Sequence, residues 1–251
     1  MSSRIGQSKK SNRRFELKYR INIMQYNKLK IILKTYLKED YFTATSEEKR
    51  YYVRSLYYDT YDYAIYHEKM SGDSERIKFR LRTYSKEVSQ AIVRVEMKVR
   101  MAETLEKLGV LVSLEEYQYF LRNGHWPDTK SPILKEFQRY LYLRSLKPQI
   151  LVEYEREGYE DRNKEGIRVT FDHKVRSAHA DELFPERKLF YQLHHPHWVI
   201  LEIKCRDKQP LWLRDIVRNY GLKLVANSKF AQGTQAARQD LYYPGGVVVI
   251  R

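Results

Sequence analysis

The stretch ERIKFRLR, residues 75–82, decides the fold of this chain. As a strand with a side-chain period of two, it sets Arg76, Lys78, Arg80 and Arg82 on one face and Ile77, Phe79 and Leu81 on the other. An ordinary half-buried strand hides its apolar face and shows charge to water, so one such row says only that the second face is wet or bound. Other stretches repeat the pattern. RFELKYR carries Glu16, Lys18 and Arg20 at the same spacing, and IVRVEMKVR carries Arg94, Glu96, Lys98 and Arg100. Later, ILVEYEREGY sets Arg156 with Tyr154 and Val152, IRVTFDHK sets Arg168 with Thr170 and Asp172, and VILEIKC sets Glu202 and Lys204 with Ile200. Charged faces on so many strands imply one shared lining, which a closed antiparallel barrel with helices packed outside would provide.

Composition bounds what that lining meets. The chain has 251 residues, is 42% hydrophobic and carries a net charge of +15, with 47 Lys and Arg against 32 Asp and Glu. That excess favours polyanions: nucleic acid, an anionic membrane or condensed phosphate. No apolar run is long enough to span a bilayer, and the basic start MSSRIGQSKKSNRR lacks the apolar core of a secretory signal, so a cytoplasmic protein is expected. The one cysteine, Cys205, excludes an internal disulfide and a thiolate metal site, and reads as an inert partly buried thiol.

Along the chain, residues 1–12 read as a mobile basic arm and 242–251, ending GGVVVIR, as a tail, around a single domain over 13–241. A first strand at 14–21 precedes an amphipathic helix over 24–37 capped by Asn22. Residues 40–50 form a polar connection, YYVRSLYYDT a Tyr-rich strand ending at Asp59, and 61–70 a short helix closed by Ser71 and Gly72. A polar hairpin at 85–90 links the cationic strand to 91–100. Two helices then flank the breaker segment 123–132. Strands return at 148–159, 166–173 and 198–204, separated by a mixed stretch over 174–190, and helices follow at 211–220 and from about 228. His194, His195 and His197 are interrupted by Pro196 and read as a loop. The 22 tyrosines sit mostly where packing explains them, which disfavours base stacking.

The ordered set FELKYRI, SLYYDT, RIKFRLRTY, VEMKVR, VEYEREGY, IRVTFD, LEIK and SKF resembles the VTC-type polyphosphate polymerase domain, a branch of the triphosphate tunnel metalloenzyme superfamily. The resemblance implies an α+β fold built on an eight-stranded antiparallel β tunnel with flanking helices. It further implies transfer of the γ-phosphate of ATP to a growing polyphosphate chain, assisted by Mn2+ or Mg2+. Carried over residue by residue, Lys18, Arg80, Arg82, Lys98, Arg156 and Arg168 match the family's catalytic cations. Glu202 in LEIK matches its metal-binding glutamate, and Lys229 in SKF matches the lysine that closes the tunnel. Lys69, Lys78 and Lys204 are expected along the phosphate path, with Glu16 and Glu96 as secondary metal ligands or partners that hold the cations.

Phosphoryl transfer through a loose transition state asks mainly for positioning and for cations at the equatorial oxygens, which strand-borne guanidinium groups supply. Arg grips phosphate bidentately while Lys acts as a movable point charge, so a mixture suits a chain that must slide. Other members of the superfamily are triphosphatases and cyclases, and the CYTH branch opens with E-x-E-x-K. Here Arg14 stands where the first Glu would be, which removes one metal ligand and favours polyanion handling over hydrolysis. The expected partners are ATP and polyphosphate, with membrane association only through a partner protein and nucleic acid disfavoured. A triphosphatase or polyphosphatase on the same fold, and a non-catalytic polyanion-binding subunit, are the alternatives.

Overall fold

The period-two stretches become strands close to where the pattern sets them. The structure is a computed structural model and describes residues 14–101, 104–127, 130–162, 166–206 and 208–237. The expected arm and tail therefore lie outside the described residues. The strands are β1 (Arg14–Ile21), β2 (Leu37–Glu39), β3 (Tyr51–Asp59), β4 (Arg76–Thr83), β5 (Val93–Met101), β6 (Thr104–Val112), β7 (Lys147–Asp161), β8 (Arg168–His179), β9 (Gln192–Leu193) and β10 (Val199–Arg206). The helices are α1 (Ile23–Tyr36), α2 (Tyr41–Thr45), α3 (Ala64–Ser71), α4 (Leu114–Asn123), α5 (Pro132–Leu143), α6 (Leu211–Asn219) and α7 (Lys229–Ala237).

The fold class is α+β with an antiparallel sheet, as expected. Eight strands form its hydrogen-bonded path, β1-β10-β8-β7-β3-β4-β5-β6, with β2 added to β7 and β9 to β8. The path begins at β1 and ends at β6, so the sheet is open among the described residues, where a closed barrel was expected. Part of the reason lies at β1. Its second edge is already used, since Tyr19 bridges Leu224 and Val225 N donates to Lys18 O at 2.9 Å. No described helix is long and apolar enough to cross a membrane.

The chain divides into two compact units, the first formed by residues up to 50, 157–172 and 197–226, the second by 51–156, 173–196 and 227 onward. In the first, the apolar face of β1, β8 and β10 (Tyr19, Ile21, Val169, Phe171, Leu201, Ile203) meets Tyr26, Leu29 and Leu33 of α1 and Leu213 and Ile216 of α6. Complete burial of Leu29 and Leu33 contributes about 2 kcal/mol each. Asn22 closes a capping box with Gln25, fixing the start of α1 at a cap value of about 1 kcal/mol. The fully buried Glu157 carboxylate is balanced by Lys30 at 2.9 Å and Arg50 at 2.9 Å, with hydroxyl donors from Tyr26 and Tyr159. Cys205 lies in this core and burial pushes its thiol up to about 11, in keeping with an inert role.

In the second unit, Phe79, Leu81, Val95 and Met97 form the buried face of β4 and β5, and α5 lies over them through Phe137 and Tyr140. Helix α7 packs on β7 and β8 at Gly233, where a Cβ would stand 2.8 Å from Ile150 Cγ2. The helix expected over 61–70 starts at Ala64 because the buried Asp59 carboxylate accepts from Thr60 N, Ile65 N and Tyr66 N, and Tyr63 adopts a left-handed φ of 60°. Four elements lie outside the expectation, one of them the two-residue strand β9. The sequence pattern marks no element at the edge strand β6, β2 lies where the first helix was expected to end, and α2 opens the expected connection.

Candidate active site

In the second unit, register turns separate charged rows into a two-dimensional array. Across β4 and β5, Arg76 faces Arg100, Lys78 faces Lys98, Arg80 faces Glu96 and Arg82 faces Arg94. Strand β6 extends the rungs, with Lys107 beside Lys98, Gly109 beside Glu96 and Leu111 beside Arg94. On the other side, β3 sets Ser55 beside Arg82 and Tyr57 beside Arg80. Like charges directly opposite oppose strand pairing by about 0.5 kcal/mol a pair.

One carboxylate sits among these cations. Glu96 binds Arg80 Nε, with Arg94 Nε at 3.4 Å and Arg82 Nη1 at 4.0 Å. Arg80 also donates to Tyr57 Oη at 3.1 Å, and Arg82 Nε donates to Ser55 Oγ at 3.1 Å, so both guanidinium groups are fixed before any ligand arrives. Burial pushes the Glu96 carboxyl up, but Arg80, Arg82 and Arg94 outweigh it and hold it below the ordinary value. The Tyr57 phenol behaves alike: burial raises it, and Arg80, Arg82 and Lys229 bring it below its usual value. Gly109 leaves room for Arg94, whose Nε would lie 3.0 Å from a Cβ there.

The first residue of α7 joins this face. Lys229 Nζ lies 4.7 Å from the Tyr154 ring centre, and Arg156 Cζ lies 5.1 Å from the same ring. Lys78 Nζ donates to Ser228 Oγ at 3.3 Å and stands over Phe230, which packs against Tyr57. Lys69 is different: it sits in the last turn of α3, and no hydrogen bond or ion pair among the described residues ties it to the ladder. The histidines form no metal-binding group among the described residues. His194 Nε2 meets Ser177 Oγ at 2.9 Å, His195 Nε2 meets Gln232 Nε2 of α7 at 3.1 Å, and burial, with Lys229 and His195 nearby, pulls His194 down to about 4.

The remaining candidates lie in the first unit, where carboxylates are set among the cations. Glu16 faces Lys204 and Lys18 faces Glu202 across β1 and β10, while Arg168 faces Lys204 and Thr170 faces Glu202 across β8. Lys18 Nζ stands 3.0 Å from Glu16 Oε1 and 3.8 Å from Glu202 Oε2, and Lys204 binds the other oxygen of Glu202. Glu202 is 5% exposed, and the buried Thr170 Oγ1 beside it has no hydrogen-bond partner among the described residues. Two carboxylates and an unsatisfied hydroxyl form an oxygen donor set of the kind that hard divalent cations take. No three His, Cys, Asp or Glu side chains converge among the described residues, so an ion held here would complete its shell with water and substrate oxygens.

Residues 13–238, which carry both faces, match the family profile described as the VTC domain. The chain belongs to the VTC-domain family. Membership places it among polyphosphate-related tunnel-fold proteins, a family with ATP and polyphosphate as substrates. Among solved structures, this VTC domain is similar to a Bacillus halodurans protein provisionally assigned as an adenylate cyclase. The two share 16% identity at a TM-score of 0.50, over 85% of this chain and 92% of the other. A Pyrococcus horikoshii protein aligns at 15% identity and a TM-score of 0.46, over 89% of this chain and 99% of the other. The first likeness supports the tunnel fold and nothing finer. No curated protein matches the chain. Beside the candidate residues the VTC domain sets three that the sequence pattern did not single out: Ser55, Tyr57 and Gly109. Ser55 and Tyr57 had a signal, since period two in SLYYDT sets both on the face that register joins to Arg80 and Arg82.

Proposed function

We propose that this VTC domain is a metal-dependent polyphosphate polymerase that transfers the γ-phosphate of ATP to a growing polyphosphate chain. The observation that carries the reading is the run of like-charge rungs. From Arg76 to Arg82 the ladder extends about 20 Å, with a rung every ~7 Å. A triphosphate alone needs cations at one focus. A row of spaced cations across three strands suits a linear polyanion of more than three phosphates.

In the proposed reaction a terminal oxygen of the polyphosphate attacks the γ-phosphorus of ATP, a new P–O bond forms, and the bond to the β-phosphate oxygen breaks to release ADP. The attacking oxygen is already an anion, so no general base is needed. That agrees with Glu96, the carboxylate of the ladder, being held ionised and committed to three arginines. Arg80 and Arg82 grip phosphate oxygens from fixed positions, Lys98 and Lys78 hold the chain, and Arg156 and Lys229 neutralise charge beside Tyr154. On the other face, Glu202, with Glu16 and Thr170 near it, is the assigned holder of the divalent ion, and Lys18, Lys204 and Arg168 are assigned to phosphate. The bound ion would neutralise charge on phosphate oxygens.

Purified protein given ATP and Mn2+ should form long-chain polyphosphate and an equal amount of ADP. Free phosphate without polymer would replace the polymerase by a triphosphatase, and neither product would leave a polyanion-binding subunit.

A further inference from the structure

Asp40 opens a stretch whose composition reads as a polar connection, yet it is 5% exposed and tied on every side. Its Oδ1 accepts from Thr43 N at 2.9 Å, capping α2, and its Oδ2 accepts from Arg168 Nη2 at 3.0 Å. The turn that carries it is stitched to one residue of β7: Asp40 N donates to Gly158 O at 2.8 Å, and Gly158 N donates to Thr43 Oγ1 at 2.7 Å. Gly158 is what admits the carboxylate, because a Cβ there would stand 1.9 Å from Asp40 Oδ2. A glycine inside a strand weakens it, and commonly marks close approach by another group. Here the approaching group is a fixed carboxylate whose second oxygen holds an arginine.

We propose that Asp40 is the positioning residue for Arg168, and that the Asp40–Gly158 contact is the device that fixes this guanidinium before phosphate binds. The proposal rests on the assignment of Arg168 to phosphate. The Arg168 side chain is about half exposed, so without a partner it would sample many rotamers, and one charge-assisted hydrogen bond at a buried oxygen removes most of that freedom. The bond from Arg168 Nη2 to Asp40 fixes the plane of the guanidinium, and with it the direction in which its donors meet an anion.

The sign of the effect separates positioning from plain charge. Asp40 is an anion beside a cationic face, so as a mere nearby charge its removal would tighten polyanion binding. As a positioning residue its removal weakens binding. Asp40→Asn keeps Oδ1 for the α2 cap and replaces Oδ2 by an amide that repels the guanidinium N–H. Binding of inorganic tripolyphosphate, measured by calorimetry across a salt series, is the readout for wild type, Asp40→Asn, Arg168→Ala and the double variant. Expected are about tenfold weaker binding for Asp40→Asn, and less than about a twofold further change when Arg168 is already Ala. The salt dependence of Asp40→Asn should fall to that of Arg168→Ala, a shift that general loosening of the fold would not produce.

An equal loss in both backgrounds, or tighter binding by Asp40→Asn, overturns the positioning role and leaves the assignment of Arg168 intact. No effect of Arg168→Ala overturns that assignment and this proposal with it. If Asp40→Asn folds poorly, Asp40→Ser retains the cap without reach to Arg168 and is held to the same outcomes.

Discussion

The two charged faces use the same residue types and differ in register. Across β1 and β10 two of the three charged rungs pair opposite signs, Glu16 with Lys204 and Lys18 with Glu202, and Arg14 against Arg206 is the like-charge exception. Across β4 and β5 three of the four rungs pair like charges, and β6 adds Lys107 to one of them. The first face sets two carboxylates among its cations and suits a small ion with a few phosphate oxygens. The second sets like against like on three of its four rungs and suits a long anion. What distinguishes the two is which strand residues face each other, and composition is blind to that.

The sharpest break of this comparison is a pair of substitutions, one per face. Glu202→Gln should lower polymerase turnover more than about hundredfold while polyphosphate still binds, because the ladder is untouched. Arg82→Ala should weaken polyphosphate binding itself, measured by competition with a labelled chain. If Glu202→Gln lost binding as fully as Arg82→Ala, the division of labour between the faces would be wrong.

A smaller effect is expected at Glu96. Glu96→Gln leaves Arg80, Arg82 and Arg94 without their carboxylate and should destabilise the protein by about 2 kcal/mol at neutral pH, read by denaturant unfolding. The sign follows from the depressed carboxyl. Its stabilising contribution is complete above the unfolded value of about 4.3 and is lost as pH falls through the lower folded value. The gap between wild type and variant should therefore close in acid, and a gap that stays constant from neutral pH to acid would remove the ion pairs as its cause.

Much of this comparison is legible in the amino-acid sequence alone. Alternation in RFELKYR, ERIKFRLR, VRVEMKVR and VILEIKC sets the charged residues of each row on one shared face, because period two survives whatever the strand pairs with. Helix α1 is equally legible from its apolar spacing and Asn22. Strand β6 is not, since TLEKLGVLV breaks alternation at Gly109, and that glycine is explained only by the guanidinium of Arg94 lying over it. The Asp40–Arg168 bond joins residues 128 positions apart, and sequence spacing carries no trace of it. Gly158 in the middle of EREGYED signals a close approach without naming the group that approaches.

The smallest expected effect sharpens the comparison most. Arg100 is exposed and faces Arg76 at the end of the ladder. Arg100→Glu converts that rung to the opposite-sign kind found between β1 and β10. Unliganded stability should rise by about 0.5 kcal/mol, seen as a small increase in Tm, because repulsion becomes attraction across one rung. Affinity for long polyphosphate should fall at the same time, while affinity for tripolyphosphate changes little if the shorter anion sits nearer Arg80 and Arg82. Opposite movement of stability and long-chain affinity in one variant would tie the cost of the ladder to its use. If Tm rose and long-chain affinity stayed constant, the ladder would end at Lys78, and the bound chain would span fewer rungs than the strands provide.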